Sequence, residues 1–139
     1  KWAEELLKGP DYLGSAEQAG WVLTRGHALE WLTPDYGFKD HWSRQDGCGA
    51  YRTYLRERIT RDVKLFRGRY HSYDVWNEIL NVREFLDKCD LWKDTVKDAF
   101  RWAAAADPTA QLCINEYKLV EGGDRTEEMV QVVGQWLAE

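Results

Sequence analysis

The chain has 139 residues, a length that fits one domain. With 19 basic and 24 acidic residues it carries a formal net charge of -5, and it lacks the general basic footprint of a nucleic-acid-binding surface. Hydrophobic residues make up 44%, which excludes disorder as the main state, and no apolar run approaches the roughly 20 residues of a membrane helix. We therefore expect a folded domain with no nucleic acid and no membrane among its partners.

The first predicted strand runs over Trp21–Trp31, and a polar, turn-rich loop over residues 33–49 follows it. The loop is long for a compact domain, and loops of this length after a strand often carry function. Its aromatic side chains include His41 and Trp42. The loop is expected either to line a groove that accepts a ligand or, equally, to pack against a neighbouring domain.

Apolar residues that recur every three or four positions predict two long helices. The first covers Tyr51–Phe66 and ends at Gly68, which can adopt the left-handed conformation of a helix cap. A second strand, Tyr70–Asn77, follows. The second helix covers Leu91–Ala106, and the pair Asp107-Pro108 ends it.

A third strand and a last helix complete the predicted order. The strand covers Gln111–Tyr117, and the pair Gly122-Gly123 then breaks the chain. Asp124 or Thr126 is expected to cap the last helix. The apolar stripe of that helix comprises Met129, Val133, Trp136 and Leu137.

Strands and helices alternate along the chain, so the strands are expected to run parallel and helices to cover the sheet. This order predicts an α/β fold, either an open doubly wound sheet or a piece of a barrel. No glycine-rich phosphate loop follows any strand, which weakens the nucleotide-binding open sheet. Side chains suited to chemistry follow the carboxyl ends of the strands, where barrel enzymes have their sites, and this favours the barrel piece. They are His27, Trp31, Asn77, Glu78, Asn115, Glu116 and Tyr117.

The cysteines and histidines show no metal-ligand spacing, so we expect no metal site and no cofactor. Cys113 lies in an apolar run, where a buried free thiol is expected. Any disulfide in this chain would then join Cys48 to Cys89.

Glu78 is the residue with the clearest potential for chemistry. It ends the second strand, directly after Asn77, in a run that contains Tyr73 and Trp76. A carboxyl group among aromatic side chains can act as a general acid for a glycosidic leaving group. The simpler alternative is a glutamate that caps the following turn, and for an arbitrary strand-end glutamate that alternative is favoured.

Four motifs, in order along the chain, resemble those of glycoside hydrolase family 10, the endo-β-1,4-xylanases. Residues 25–31, R-G-H-A-L-E-W, are similar to the family's R-G-H-T-L-x-W, and residues 73–78, Y-D-V-W-N-E, to its W-D-V-V-N-E. Residues 99–108 and 114–117 resemble its A-F-x-x-A-x-x-A-D-P and I-N-D-Y-N. The resemblance covers essentially the whole chain and is closest to the plant and algal branch.

The resemblance implies that residues 1–139 are a fragment of one catalytic-type domain, a partial TIM (β/α)8 barrel. The three strands would be the third to fifth of that barrel. Glu78 matches the catalytic acid/base of the family. Asn77 matches an asparagine that hydrogen-bonds near the sugar 2-hydroxyl next to the scissile bond.

The same resemblance supplies candidates for substrate binding. His27 and Trp31 match a wall of the subsite, where an imidazole donates to a sugar hydroxyl and an indole supplies an apolar face. Lys1 matches a lysine that contacts the next sugar, and Tyr117 is a further candidate. Most of the other tryptophans suit core packing, although Trp42 or Trp76 could also stack on a sugar.

Several residues depart from the family pattern. A retaining glycosidase needs two carboxylates about 5 to 5.5 Å apart, and the family nucleophile lies on the seventh strand, which we expect outside this chain. Glu116 stands where the family has aspartate and is a poor candidate for a substitute nucleophile. Lys118, Ala28 and Leu32 also replace family residues around the sugar site. Glu30 is expected to face the covering helices, where its charge needs a partner. The basic run of the first long helix, which includes Arg58, is expected to be an ordinary solvated surface.

A complete barrel takes about 250 residues, so we expect a partial chain whose two sheet edges are covered by the rest of the barrel or by other protein chains. The expected function is retaining hydrolysis of a xylan-like polysaccharide, β-1,4-xylan, by an extracellular enzyme. The alternative is a non-catalytic structural or glycan-binding component of a larger extracellular assembly that keeps the fold. A glutamate aligned with the family nucleophile on downstream sequence would favour the enzyme.

Overall fold

The computed structural model describes residues 12–20, 23–31 and 48–138. The predictions on Lys1, on Leu32 and on the loop side chains from residue 33 to 47 concern residues outside these ranges and stay predictions. The first two residues of the first predicted strand, Trp21 and Val22, also lie outside them.

Three strands and six helical segments follow one another in the described residues. They are α1 (Tyr12–Gln18), β1 (Arg25–Glu30), α2 (Cys48–Leu65), β2 (Ser72–Asn77), a 3₁₀ turn (Ile79–Val82), α3 (Arg83–Lys88), α4 (Trp92–Ala106), β3 (Gln111–Asn115) and α5 (Asp124–Leu137). The predicted strands and long helices are confirmed, with ends shifted by a few residues. The three short segments α1, α3 and the 3₁₀ turn were not predicted, because they are too short to show a clear apolar repeat.

The three strands form one parallel sheet in the order β1-β2-β3. Asp74 of the central strand pairs with His27 on one side and with Cys113 on the other. The register shifts once in each pairing, beyond His27 in β1 and between Asp74 and Trp76 in β2. This arrangement confirms the α/β fold class, and it brings the carboxyl ends of all three strands to one edge.

The core lies between the sheet and the helices α2 and α4, which contact each other and the strands. Both helices bury the predicted apolar stripe except for Phe66 and Phe100, which are only partly buried. The stripe residues with at most 1% exposure are Leu55, Ile59 and Val63 in α2 and Val96, Ala99 and Ala103 in α4. Burying a side chain such as Leu55 stabilises the fold by roughly 1.5 to 3 kcal/mol. Of the helices in the described ranges, none combines the length and the apolar character needed to cross a lipid bilayer.

The last helix, α5, differs from its prediction in two ways. Leu137 is 82% exposed and so lies outside the buried stripe, whose most buried members are Met129 and Val132. Neither Asp124 nor Thr126 supplies a side-chain cap at the described start of the helix. The Thr126 hydroxyl instead donates to an upstream backbone carbonyl at 2.7 Å, so it is satisfied elsewhere.

A disulfide joins Cys48 to Cys89, which confirms the predicted pairing. It connects the first residue of α2 to the end of α3, with the two Cα atoms 5.3 Å apart. Cys113 is a free thiol on β3 and is partly buried. The bridge therefore ties the segment between β2 and α4 to the helix that covers β1.

Glu30 has a partner that the sequence did not identify. Its carboxylate, only 3% exposed, accepts a hydrogen bond from Arg58 Nη1 of α2 at 3.1 Å. Burial raises the pKa of Glu30, and the charge of Arg58 acts against that rise. Arg58 itself has a side chain only 22% exposed, so it is not the ordinary surface arginine that its place in a basic run suggested.

Asp107 connects the ends of two helices to the loop before β3. Its carboxylate accepts the backbone N–H of Gly68 at 2.8 Å and both the backbone N–H and the hydroxyl of Thr109 at 3.0 and 2.6 Å. Gly68 has φ +74°, the left-handed conformation expected at the end of α2. Although burial acts to raise the pKa of Asp107, these hydrogen bonds and the charge of Arg67 hold it below its usual value.

Replacing Asp107 by alanine is expected to lower the free energy of unfolding by about 1 to 3 kcal/mol, because buried donors lose their acceptor. The pKa of Asp107 is depressed in the fold, so its contribution is present above the usual carboxyl pKa of about 3.9 and is lost as the pH falls through the lower folded value. Denaturant unfolding of the full-length protein at pH 7 and in acid measures both effects. The control is Asp87→Ala, since Asp87 is 53% exposed and its ion pair with Arg83 spans 3.5 Å. An equal loss in both variants would contradict the prediction.

Candidate active site at the carboxyl ends of the strands

Glu78 occupies the first position after β2, at a sharp turn of the chain. Its backbone N–H donates to the carbonyl of Asn115 at 2.8 Å, which extends the pairing of β2 with β3 by one step. Glu78 itself has φ 55° and ψ 48°, the left-handed conformation. A side chain there costs of order 1 to 3 kcal/mol, and such strained residues concentrate at functional sites.

The two oxygens of the Glu78 carboxylate differ in the hydrogen bonds that they accept. Oε2 accepts the indole N–H of Trp31 at 3.2 Å and an amide N–H of Asn81 at 3.1 Å. Among the described residues, none donates to Oε1. Because Glu78 is only partly buried, Oε1 is the oxygen available for proton exchange with a ligand.

His27 lies on β1 against a buried carboxylate of the neighbouring strand. Asp74, 2% exposed, lies 2.9 Å from His27 Nδ1 and accepts two hydrogen bonds from Arg25, the Nε one at 2.9 Å. Burial acts to raise the pKa of Asp74, but the hydrogen bonds and charges of Arg25 and His27 leave it below its usual value. Asp74 is therefore an ionised acceptor.

The Asp74 contact determines what the imidazole can do. An ionised carboxylate only accepts, so Nδ1 of His27 carries the hydrogen. In the neutral ring Nε2 is then an acceptor, and His27 would accept from a hydroxyl group. The expected donation from the imidazole to a sugar hydroxyl requires the protonated ring. The His27 ring centroid lies 6.0 Å from that of Trp31, so the two rings form one wall.

Gly26 explains how β1 can lie so close to β2 beside this wall. A Cβ atom on Gly26 would approach the Tyr73 ring to 2.7 Å, closer than such atoms come in proteins. The glycine between Arg25 and His27 thus lets the two polar side chains project from β1 while Tyr73 packs against its backbone.

Asn77, the last residue of β2, is 2% exposed, and a residue of β3 orients its side chain. Its Oδ1 accepts the amide N–H of Asn115 at 2.7 Å. The Asn77 amide N–H group is the remaining donor of the side chain. The sequence predicted that Asn115 lies at the end of the third strand but gave it no role. In the structure it orients the side chain of Asn77.

Glu116 is bound on all sides and does not face a ligand. One carboxylate oxygen, Oε2, accepts the backbone N–H of Leu80 at 3.1 Å. The other, Oε1, accepts the backbone N–H of Tyr117 at 3.0 Å and the side-chain Nη2 of Arg125 at 2.7 Å. Its side chain has no exposed area. These contacts agree with the expectation that Glu116 is not a substitute nucleophile.

The structure brings most of the predicted site residues together, but not all. Trp31, 38% exposed, contacts Glu78 directly, and Tyr117, 43% exposed, lies under the Arg125 guanidinium, 4.1 Å from its ring centroid. Trp76 has no exposed area, so the prediction that it could stack on a sugar is wrong: it packs in the core.

Asp74, Asn81 and Arg125 are site residues that sequence reasoning missed. A carboxylate in the middle of a strand of a covered parallel sheet needs a partner, and that signal could have identified Asp74. Asn81 and Arg125 lie in the 3₁₀ turn and in α5, and no local pattern connects residues 44 positions apart. In the part of the chain that the structure describes, no three His, Cys, Asp or Glu side chains form a metal-binding group.

The Asp74→Asn variant tests the role of this carboxylate. We expect a loss of about 1 to 3 kcal/mol in the free energy of unfolding at pH 7, with Arg25 and His27 left with a weaker acceptor. The loss should shrink as the pH falls through the depressed pKa of Asp74, below the usual value of about 3.9.

Denaturant unfolding of the full-length protein measures the stability, and imidazole ¹⁵N shifts report the tautomer of His27. Asp87→Asn is the matched control, because Asp87 is 53% exposed and its ion pair with Arg83 is at 3.5 Å. An unchanged stability and tautomer in Asp74→Asn would show that the Asp74 contact does not orient the ring.

The chain is similar to curated xylanases over most of its length. Endo-1,4-beta-xylanase A of Thermotoga maritima is 34% identical over 118 residues, which cover 79% of this chain and 11% of that protein. Endo-1,4-beta-xylanase 3 of Hypocrea jecorina is 28% identical over 134 residues, which cover 93% of this chain and 38% of that protein. The chain thus spans about a tenth of the length of the first relative and under two fifths of the length of the second.

The chain is also similar to solved xylanase structures. A mutant of xylanase A from P fluorescens subsp. cellulosa in complex with xylopentaose superposes with a TM-score of 0.77 at 26% identity, covering 96% of this chain and 42% of that one. A thermostable mutant of a xylanase from Cellvibrio japonicus superposes with a TM-score of 0.74 at 26% identity, covering 91% of this chain and 40% of that one. These likenesses confirm the partial barrel. The sequence profile described as Glycosyl hydrolase family 10 matches residues 6–139.

Proposed function

The chain belongs to glycosyl hydrolase family 10, and on this basis we propose that it is part of an endo-1,4-β-xylanase in which Glu78 is the catalytic acid/base. The observation that carries the proposal is the state of the Glu78 carboxylate. Glu78 directly follows a barrel strand, its Oε2 accepts hydrogen bonds from Trp31 and Asn81, and its Oε1 has no donor among the described residues.

The proposed chemistry is retaining hydrolysis in two steps. In the first, Glu78 Oε1 gives its proton to the glycosidic oxygen while a second carboxylate attacks the anomeric carbon and the glycosidic bond breaks. In the second, Glu78 takes a proton from water, and the resulting hydroxide replaces the carboxylate at that carbon. The protonation state of Glu78 is thereby restored.

The second carboxylate is proposed to lie outside residues 1–139. A retaining site needs it about 5 to 5.5 Å from the acid/base. Three buried carboxylates lie on the strands or directly after them, and each is bound to an arginine: Glu30, Asp74 and Glu116. Family resemblance assigns the nucleophile to a glutamate on the seventh strand.

The proposed substrate is xylan, and this accords with relatives named as endo-1,4-beta-xylanases and with a related structure in complex with xylopentaose. Trp31 and His27 would form one wall of the sugar subsite, and Asn77 would donate to the sugar nearest the scissile bond. Tyr117 and Lys1 complete the set of proposed substrate-binding residues.

The proposed domain is one catalytic barrel to which residues 1–139 contribute the third to fifth strands. In the described sheet, β1 and β3 each pair on one side only. The rest of the barrel is proposed to cover both edges, since an unpaired strand edge invites association. An extracellular location belongs to the same proposal.

A mechanism-based label tests the proposal. The full-length protein is incubated with a 2-deoxy-2-fluoro xylobioside that carries a good leaving group, and the labelled peptide is identified by mass spectrometry. The expected result is hydrolysis of xylan by the free protein and a label on a glutamate outside residues 1–139. A label on Glu116 would overturn the placement of the nucleophile. No hydrolysis and no label would favour the non-catalytic, glycan-binding alternative.

A further inference from the structure

We propose that Asn81 is a positioning residue that holds the Glu78 carboxyl group so that the transferable proton sits on Oε1. The inference rests on the proposed function, because it concerns how the acid/base of that reaction is oriented. Its evidence is a set of contacts among the 3₁₀ turn, β3 and α5 that neither the sequence motifs nor the two-carboxylate mechanism requires.

The amide of Asn81 has a definite orientation because both of its ends are used. Its Oδ1 accepts a hydrogen bond from Arg125 Nη2 at 3.0 Å, and its Nδ2 donates to Glu78 Oε2 at 3.1 Å. A guanidinium can only donate, so it selects the amide oxygen. The amide N–H group is thereby directed at Glu78.

Arg125 is itself held in place by Glu116, the first residue after β3. The same Nη2 atom donates to Glu116 Oε1 at 2.7 Å, and the side chain of Glu116 is completely buried. The guanidinium also lies over the Tyr117 ring, 4.1 Å from its centroid. Glu116 further accepts the backbone N–H of Leu80, which fixes the turn that carries Asn81.

Two fixed donors on one oxygen decide where the proton can be. Trp31 Nε1 and Asn81 Nδ2 both donate to Oε2, and neither group can accept a hydrogen from it. A proton on Oε2 would face two N–H groups, so the protonated carboxyl carries its hydrogen on Oε1. Oε1 is the oxygen that can then reach the glycosidic oxygen of a substrate.

The test is Asn81→Asp in the full-length protein. Aspartate keeps an acceptor for Arg125 but, when ionised, has no N–H for Glu78. We expect kcat/KM on xylan, whose leaving group needs a proton, to fall by about 10- to 100-fold, as for the loss of part of a general-acid contribution. On a 2,4-dinitrophenyl xylobioside, whose leaving group needs no proton, kcat/KM should change less than about 3-fold.

Asp87→Asn is the matched control, an exchange between the same two side-chain types in α3. Asp87 is 53% exposed and pairs with Arg83, so both substrates should be turned over as by the unmutated protein. Circular dichroism melting checks the folding of each variant. If Asn81→Asp does not fold, Asn81→Ser, whose hydroxyl is too short to reach Glu78, replaces it with the same expected pattern.

Equal losses on both substrates, or no loss on either, would overturn the positioning role of Asn81. Failure of the proposed function would give a different result. Either the unmutated protein would not hydrolyse xylan, or the Glu78→Gln variant would be as active as the unmutated protein. A loss confined to the substrate with the poor leaving group supports the proposal.

Discussion

Glu78→Gln in the full-length protein is expected to lower the rate of xylan hydrolysis by about 10²- to 10⁴-fold, the usual contribution of general acid–base catalysis. Glutamine has the size of glutamate and can still accept hydrogen bonds from Trp31 and Asn81 through its amide oxygen. Its amide N–H group takes the place of Oε1 but cannot give a proton to the leaving group. The loss should therefore appear in turnover and leave the fold intact.

Release of reducing sugar from xylan measures the activity, and thermal unfolding followed by circular dichroism measures the fold. Glu128→Gln is the matched control, because Glu128 is 42% exposed and its partner is Arg83. Turnover by Glu78→Gln within a factor of about two of the unmutated protein would rule out Glu78 as the acid/base.

Arg58→Met is expected to destabilise the fold by about 3 kcal/mol at pH 7, near the lower end for a broken buried ion pair. The reason is that Glu30, 3% exposed, loses its hydrogen-bond partner at 3.1 Å and is left as a buried charge. Methionine can fill the space of the aliphatic part of arginine, so packing changes little. Arg58 is 22% exposed, and water will soften the effect.

The pH dependence separates the loss of charge pairing from a packing defect. Burial raises the pKa of Glu30 in the fold, and the charge of Arg58 opposes that rise. With a raised pKa, the stability that Glu30 contributes is fully present below the usual carboxyl pKa of about 4.3 and is lost as the pH rises through the folded value. Without Arg58 the carboxyl protonates at still higher pH, so the deficit of Arg58→Met should shrink on acidification.

Denaturant unfolding of the full-length protein between pH 4 and 8 is the measurement, and two further variants serve as controls. Arg101→Met removes a 71% exposed arginine and should cost under about 1 kcal/mol. The double variant Glu30→Leu, Arg58→Met replaces the pair by apolar side chains and should recover much of the loss. A deficit that is independent of pH would contradict the charge-pair explanation.

The two residues of this pair show how far a sequence prediction reaches. The alternation along β1 placed Glu30 towards the covering helices and required a partner for it. Its partner belongs to a run of basic residues on α2 that looked solvent-facing throughout. Which member of the run contacts Glu30 depends on the rotation and position of α2 over the sheet, and no local pattern contains that information.

The sequence by itself determined the α/β class, the order of strands and helices along the chain, and the presence of Asn77 and Glu78 at a strand end. It could do so because apolar periodicity and short motifs are properties of neighbouring residues. Only the tertiary structure decided which atoms meet at the Glu78 carboxylate. Trp31 and Glu78 are 47 residues apart, and Arg125 and Asn81 are 44 apart. Such contacts depend on strand register and helix placement, which arise only when the whole sheet and its helices pack together.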